Sequence, residues 1–171
     1  MIIGLSGFAR SGKDTVASFL PNYSRRAFAD KLREAIWRLN PTLEGGMRTQ
    51  EMVNLLGWDK AKTDFPELRR LLQIIGTEVG RQMIDEDLWV KLATDELEPE
   101  DRVVFTDVRF PNEASMIKAL GGKVWRVNRP GVEALNSHSS EHSMTSWNFD
   151  LVIENDGTFE DLRQKVLLAL K

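Results

Sequence analysis

The chain of 171 residues contains no cysteine, two histidines and a single tyrosine. Disulfides, thiolate nucleophiles and cysteine-based metal sites are therefore excluded, which fits a reducing compartment. No apolar run approaches the roughly 18 residues of a membrane-spanning helix. The opening "MIIGLSG" enters a strand directly, without the charged and then apolar order of an export signal. We expect a cytoplasmic protein with no membrane partner. Excess positive charge is missing as well: 23 basic against 26 acidic residues leave a net charge of −3. That balance offers no general attraction for a nucleic-acid polymer, although a local pocket can still be positive and take a small anion.

What is present is the composition of a soluble globular protein, 42% hydrophobic and 29% charged. Apolar segments at Ile2 to Ser6, Arg25 to Asp30, Val103 to Asp107, Lys123 to Asn128 and Asp150 to Glu154 read as strands. Between and after them lie helical stretches: about Gly12 to Leu20, "KLREAIWRL", Pro66 to Ile84, "EDLWVKLATDELE", Asn112 to Leu120 and Phe159 to Leu170. The segment from Pro41 to Pro66 is ambiguous between helix and connection. Strands alternating with helices predict a parallel sheet covered on both faces, hence an α/β fold. Ligands of such sheets bind at the carboxyl ends of the strands.

One of those ends carries "GFARSGKDT", Gly7 to Thr15. It matches G-x-x-x-x-G-K-[ST] at Gly7, Gly12 and Lys13, between a strand and a helix as a phosphate-binding loop requires. Backbone N–H groups of such a turn, Ser11 and Gly12 among them, form a concave anion site, and Lys13 adds a point charge. Asp14 stands where a hydroxyl is usual, with Thr15 one place on. Asp14 can hold a magnesium ion, since Mg²⁺ accepts carboxylate oxygen readily, or it can simply favour the first helical turn. Arg10 either projects over a transferring phosphoryl group or faces solvent.

In "ELRRLLQIIGTEVGRQMI" an α-helical wheel places Gln73, Gly76 and Gly80 within about 40° of Arg69, with Thr77 near 80° and Arg81 near 120°. Two glycines inside a helix imply that something approaches its backbone. Either a neighbouring helix packs there, or Arg69 and Arg81 grip a second phosphate while Gln73 bonds a base. Asp107 ends a strand, where a carboxylate either reaches a metal or acceptor or forms a turn, and Arg109 is two residues further on. Arg129 opens a polar excursion long enough to act as a flap, about residues 129–148. His138 and His142 lie within it, four apart but without a third ligand or an H-E-x-x-H pattern. "NDGT", with Asn155 and Gly157, either frames an adenine or makes a turn and a helix cap.

"GFARSGKDT", "FADKLR", "RRLLQIIGTEVGR", "TDVRFPNEA", "NRPG" with "HSSEH", and "ENDGTFEDL" resemble, in order, the bacteriophage-type deoxynucleoside monophosphate kinases of the P-loop kinase class. The resemblance spans nearly the whole chain. It implies a five-stranded parallel sheet of order 2-3-1-4-5 with helices on both faces. A single domain over residues 1–171 is implied, with an acceptor-binding helical region at about 41–98 and the flap as lid. The donor would be ATP with Mg²⁺, the acceptor a deoxynucleoside monophosphate, and the compartment the host cytoplasm for a viral protein. By matching motif, Lys13 and its loop would hold donor phosphates, with Asn155 and Gly157 beside them. Asp30, Arg69, Gln73, Thr77 and Arg81 would hold the acceptor, Asp107 and Arg109 the reacting phosphates or sugar, and Arg129 the lid side. No arginine lies between Pro130 and Asn148, unlike broader monophosphate kinases, which makes Arg10 more prominent. Another small-molecule P-loop kinase and a non-catalytic nucleotide-binding module remain alternatives, and homodimerisation is open.

Overall fold

The structure, a computed structural model, describes residues 1–133 and 143–170. The chain divides into two compact units: Met1–Phe28 together with Glu96–Lys171, and Ala29–Asp95.

The first unit is organised by a five-stranded sheet. Its strands are β1 (Ile2–Ser6), β2 (Ser24–Arg26), β3 (Val103–Val108), β4 (Lys123–Asn128) and β5 (Leu151–Glu154). All pairings are parallel, in the order β2-β3-β1-β4-β5 that the resemblance implies. β1 is buried along its whole length, as a central strand covered on both faces must be. Register pairs Ile3 with Val104, Leu5 with Trp125 and Val127 with Ile153. On one face Leu5, Trp125 and Val127 pack with Val16 of α1 (Lys13–Ser18) and with Leu162 and Val166 of the last helix. That helix, α7 (Phe159–Ala169), starts at a Thr158–Asp161 capping box. α6 (Pro111–Ala119) begins with Pro111 at its first position.

β2 is shorter than its sequence suggests and stops at Arg26. Phe28 lies beyond it, stacked on Phe105 with centroids 4.4 Å apart, and its N–H donates to Asp107 Oδ1 at 2.8 Å. A side-chain acceptor has replaced the next rung of the ladder.

The second unit is helical: α2 (Asp30–Leu39), α3 (Thr49–Asp64), α4 (Pro66–Gln73), a π-helical segment (Ile74–Ile84) and α5 (Leu88–Thr94). Its core gathers Leu32, Ile36, Met52, Ala61, Leu68 and Trp89. The ambiguous stretch is thus mostly helix, broken at Gly57, whose φ of 73° and ψ of 161° are not helical. The expected continuous α-helix from Pro66 to Ile84 changes character at Ile74. Trp89 Nε1 donates to Gly76 O at 2.7 Å, so an indole takes a carbonyl of the helix and the turns widen. Among the described residues no helix is long and apolar enough to cross a membrane.

Candidate functional site

The end of β1 turns sharply because Gly7 takes φ 141° and Gly12 φ 104°, conformations that side chains disfavour. Space is as restrictive as torsion at Gly7, where a Cβ would run into Val127 O and lie 2.9 Å from Ser11 Oγ. Arg10, at φ 66°, is one of three non-glycine residues with positive φ among the described residues, and it is exposed. Strained backbone of this kind is retained where surrounding structure overdetermines it, often at ligand clamps.

Inside the loop, Lys13 Nζ donates to Gly7 O and Phe8 O, both at 2.7 Å. The ammonium is held at the loop's own carbonyls, from which an incoming phosphate oxygen can take it over. Ser11 is almost fully buried, and its Oγ has no hydrogen-bond partner among the described residues. A buried orphan hydroxyl in a tight polar loop fits a ligand that supplies its partner. Asn155, after β5, donates from Nδ2 to Ser11 O at 2.9 Å and lies against Gly12. The "NDGT" turn is therefore joined to the phosphate loop, while Thr158 caps α7 and Gly157 sits against Asp161. Lys165 bonds Asp156 at 2.6 Å, and that bond holds the Asp156 carboxyl below its ordinary pKa.

Asp14 is exposed and forms an ion pair with Arg25 Nη2 at 2.6 Å, while Arg25 Nε donates to Thr106 Oγ1 at 3.4 Å. Sequence reasoning missed Arg25, because its partner lies on another element. Asp14 remains an accessible carboxylate beside the phosphate loop. Mg²⁺ is commonly held by one or two carboxylates together with substrate phosphates, so Asp14 fits such an ion if Arg25 yields it. Thr15 is half-buried in the same helical turn.

β3 brings Asp107 and Arg109 to the same end of the sheet. Asp107 is half-buried and fastened to the Phe28 N–H; Arg109 is exposed, and its own N–H donates to Glu113 Oε2 at 2.6 Å. Glu113 is buried and also accepts the Phe110 N–H, so "RFPNE" is first of all a helix start. A small cavity opens here, lined by Gly7, Phe8 and Ala9 of the loop, by Arg109 and Thr145, and by Arg126 of β4. Arg126 was not among the sequence candidates. Its signal was a charged residue interrupting "KVWRVN", a strand whose neighbours are buried on both faces.

Arg129 is exposed just past β4. His138 and His142 lie outside the described residues. In the second unit Asp30 is bonded by Arg33 at 3.0 Å, Arg69 is exposed, Gln73 and Thr77 are half-buried, and Arg81 donates to Glu86 O at 3.1 Å. The close approach announced by the glycines comes from neighbouring helices. A Cβ on Gly80 would lie 2.7 Å from Trp89 Nε1, and one on Gly76 would lie 2.8 Å from Leu32 Cδ2. Packing thus accounts for both glycines, and the acceptor reading of the stripe is left to its polar side chains.

Residues 47–166 match the family model described as deoxynucleotide monophosphate kinase. A protein of Acanthamoeba polyphaga mimivirus is 30% identical over 193 residues, covering 98% of this chain and 94% of its own length. The deoxynucleotide monophosphate kinase of Enterobacteria phage T4 is 33% identical over 71% of this chain, and that of Escherichia phage RB69 36% identical over 63%. Those matches span 55% and 46% of the two phage proteins, about half of each.

Proposed function

The chain belongs to the deoxynucleotide monophosphate kinase family, and from that premise we propose that it transfers the γ-phosphoryl group of ATP to the 5′-phosphate of deoxynucleoside monophosphates. An oxygen of the acceptor phosphate forms the new bond to the γ-phosphorus. The bond from that phosphorus to the β–γ bridging oxygen breaks, and ADP leaves with the electron pair. The acceptor is already an anionic nucleophile near neutral pH, so the protein needs no general base. Its contribution is positioning and charge neutralisation.

The observation that carries this reading is the strained loop from Gly7 to Gly12, with the buried orphan hydroxyl of Ser11 and the ammonium of Lys13 at its carbonyls. Loop N–H groups and Lys13 hold the donor phosphates, and Asn155 braces the loop at Ser11 O. Asp14 and Thr15 are the residues that would hold Mg²⁺, which supplies neutralisation of phosphate charge. Arg10 and Arg109 steady the oxygens of the transferring group, Asp107 orders the end of β3 for the reacting phosphates or sugar, and Arg129 belongs to the lid side. Asp30, Arg69, Gln73, Thr77 and Arg81 belong to the second unit, which we assign to the acceptor nucleotide. ADP release is to be measured with ATP and magnesium while dTMP, dGMP, dCMP, dAMP and their ribose counterparts are offered singly. Turnover with one or more deoxynucleotides is expected. ATP binding with no turnover across the panel would refute the reaction.

A further inference from the structure

We propose that Arg126, together with Arg109, holds the oxygens of a phosphoryl group over the tip of the Gly7–Ala9 loop, a role that rests on the phosphotransfer reading above. Arg126 rises from the carboxyl half of β4, next to Val127, the residue whose carbonyl oxygen closes against Gly7. Its guanidinium carbon lies over two rings, 5.6 Å from the centroid of Phe8 and 5.4 Å from that of Phe149. Nε donates to Asn128 Oδ1 at 2.9 Å. Asn128 is neutral, and ring faces attract a cation without cancelling its charge. Among the described residues no carboxylate pairs with Arg126.

A guanidinium bonds through N–H groups that lie in its own plane. Of its five N–H donors one is taken by Asn128, and the four on the Nη atoms are left for an acceptor. The cavity that Arg126 lines is walled by the phosphate loop and by a second arginine, and among the described residues no Asp or Glu lines it. A phosphoryl group suits the open Nη edge of Arg126, because a guanidinium fork matches its tetrahedral oxygens. Phe8 belongs to the loop, so a guanidinium lying over its ring sits beside whatever the loop carries. Arg126 thereby supplies on a strand a charge that the lid, with no arginine from Pro130 to Asn148, does not.

Arg126→Met, which keeps length and an apolar stem, and Arg126→Lys, which keeps charge without the fork, are to be compared with wild type. We expect kcat to fall on the order of 10²-fold in Arg126→Met, with KM for the deoxynucleotide changed less than about threefold, since an interaction made in the transition state lowers kcat and not binding. Affinity for inorganic tripolyphosphate, measured by calorimetry, is expected to fall on the order of tenfold for loss of a charged hydrogen-bonding partner. Arg126→Lys should recover part of the tripolyphosphate affinity and little of kcat, and it carries the test if Arg126→Met does not fold. Wild-type kcat and tripolyphosphate affinity in either folded variant would overturn the assignment. So would lower thermal stability with both functional readouts intact, the mark of a packing role. If wild type binds tripolyphosphate but phosphorylates no deoxynucleotide, the reaction fails while the calorimetric arm still decides Arg126.

Discussion

Substituting alanine at Gly80 and at Gly76 should have unequal consequences, although both glycines lie in one π-helical segment. At Gly80 the new Cβ meets Trp89 Nε1 at 2.7 Å, Trp89 Cζ2 at 2.8 Å and Ile75 O at 2.9 Å. Neither neighbour can yield easily, since one is backbone and the other a buried indole bonded to Gly76 O. Overpacking costs about 1–3 kcal/mol, and displacing the indole forfeits a hydrogen bond of about 1 kcal/mol. Replacing glycine returns at most about 1 kcal/mol of helix propensity. The net is a destabilisation of about 2 kcal/mol, or about 4–8 °C in Tm for a chain of this size. At Gly76 the only close neighbour is Leu32 Cδ2, the far end of a flexible side chain, at 2.8 Å. A small rotation relieves that contact, so the melting temperature should stay within about 2 °C of wild type. Thermal unfolding measured by circular dichroism decides between them. Equal stability of Gly80→Ala and wild type, with a raised KM for the acceptor, would refute the packing account and return the glycines to the substrate.

Other consequences concern single polar groups. Asp14→Ala should raise the magnesium concentration needed for half-maximal ADP release, and an unchanged magnesium dependence would leave Asp14 as a partner of Arg25 only. Asn155→Ala removes the bond to Ser11 O; a loss of about 1 kcal/mol should weaken ATP binding roughly fivefold, and equal affinity in a fluorescent-ATP titration would deny the brace. Burial pushes the Asp150 carboxyl up, but Lys118 at 2.5 Å and the Val124 N–H at 2.7 Å outweigh it, so its pKa lies below the ordinary value. Because the folded pKa is depressed, the stabilisation is present above the unfolded value of about 4 and fades as pH falls through the folded one. Asp150→Asn should therefore flatten the loss of stability below pH about 4 in urea melts, and an acid limb as steep as wild type's would contradict this.

The phosphate loop was legible because its determinants are local. Gly7, Gly12 and Lys13 impose a turn and a charge on one short stretch of chain, and strand order came from alternation and resemblance together. The π-helical segment was not legible. Its cause, the indole of Trp89 on Gly76 O, sits 13 residues away on another helix, so a wheel at 3.6 residues per turn described Arg69 to Gln73 and misplaced the residues from Ile74 onward. Gly76 and Gly80 did announce a close neighbour, but a sequence does not say whether that neighbour is a ligand or a side chain.

Charged groups show the same boundary from the other side. Asp14 raised the right question, whether a carboxylate beside phosphates has a cation, and the structure answers with one that no local pattern could supply, Arg25 on an edge strand. Arg126 raised no question because it fits no motif, yet a guanidinium inside a strand with buried flanks must have a reason to be there. Two rings, a neutral amide and a cavity without acid among the described residues do not cancel its charge. An uncancelled cation at the carboxyl edge of a parallel sheet, beside a phosphate loop, is most simply completed by the anion that the loop is shaped to hold.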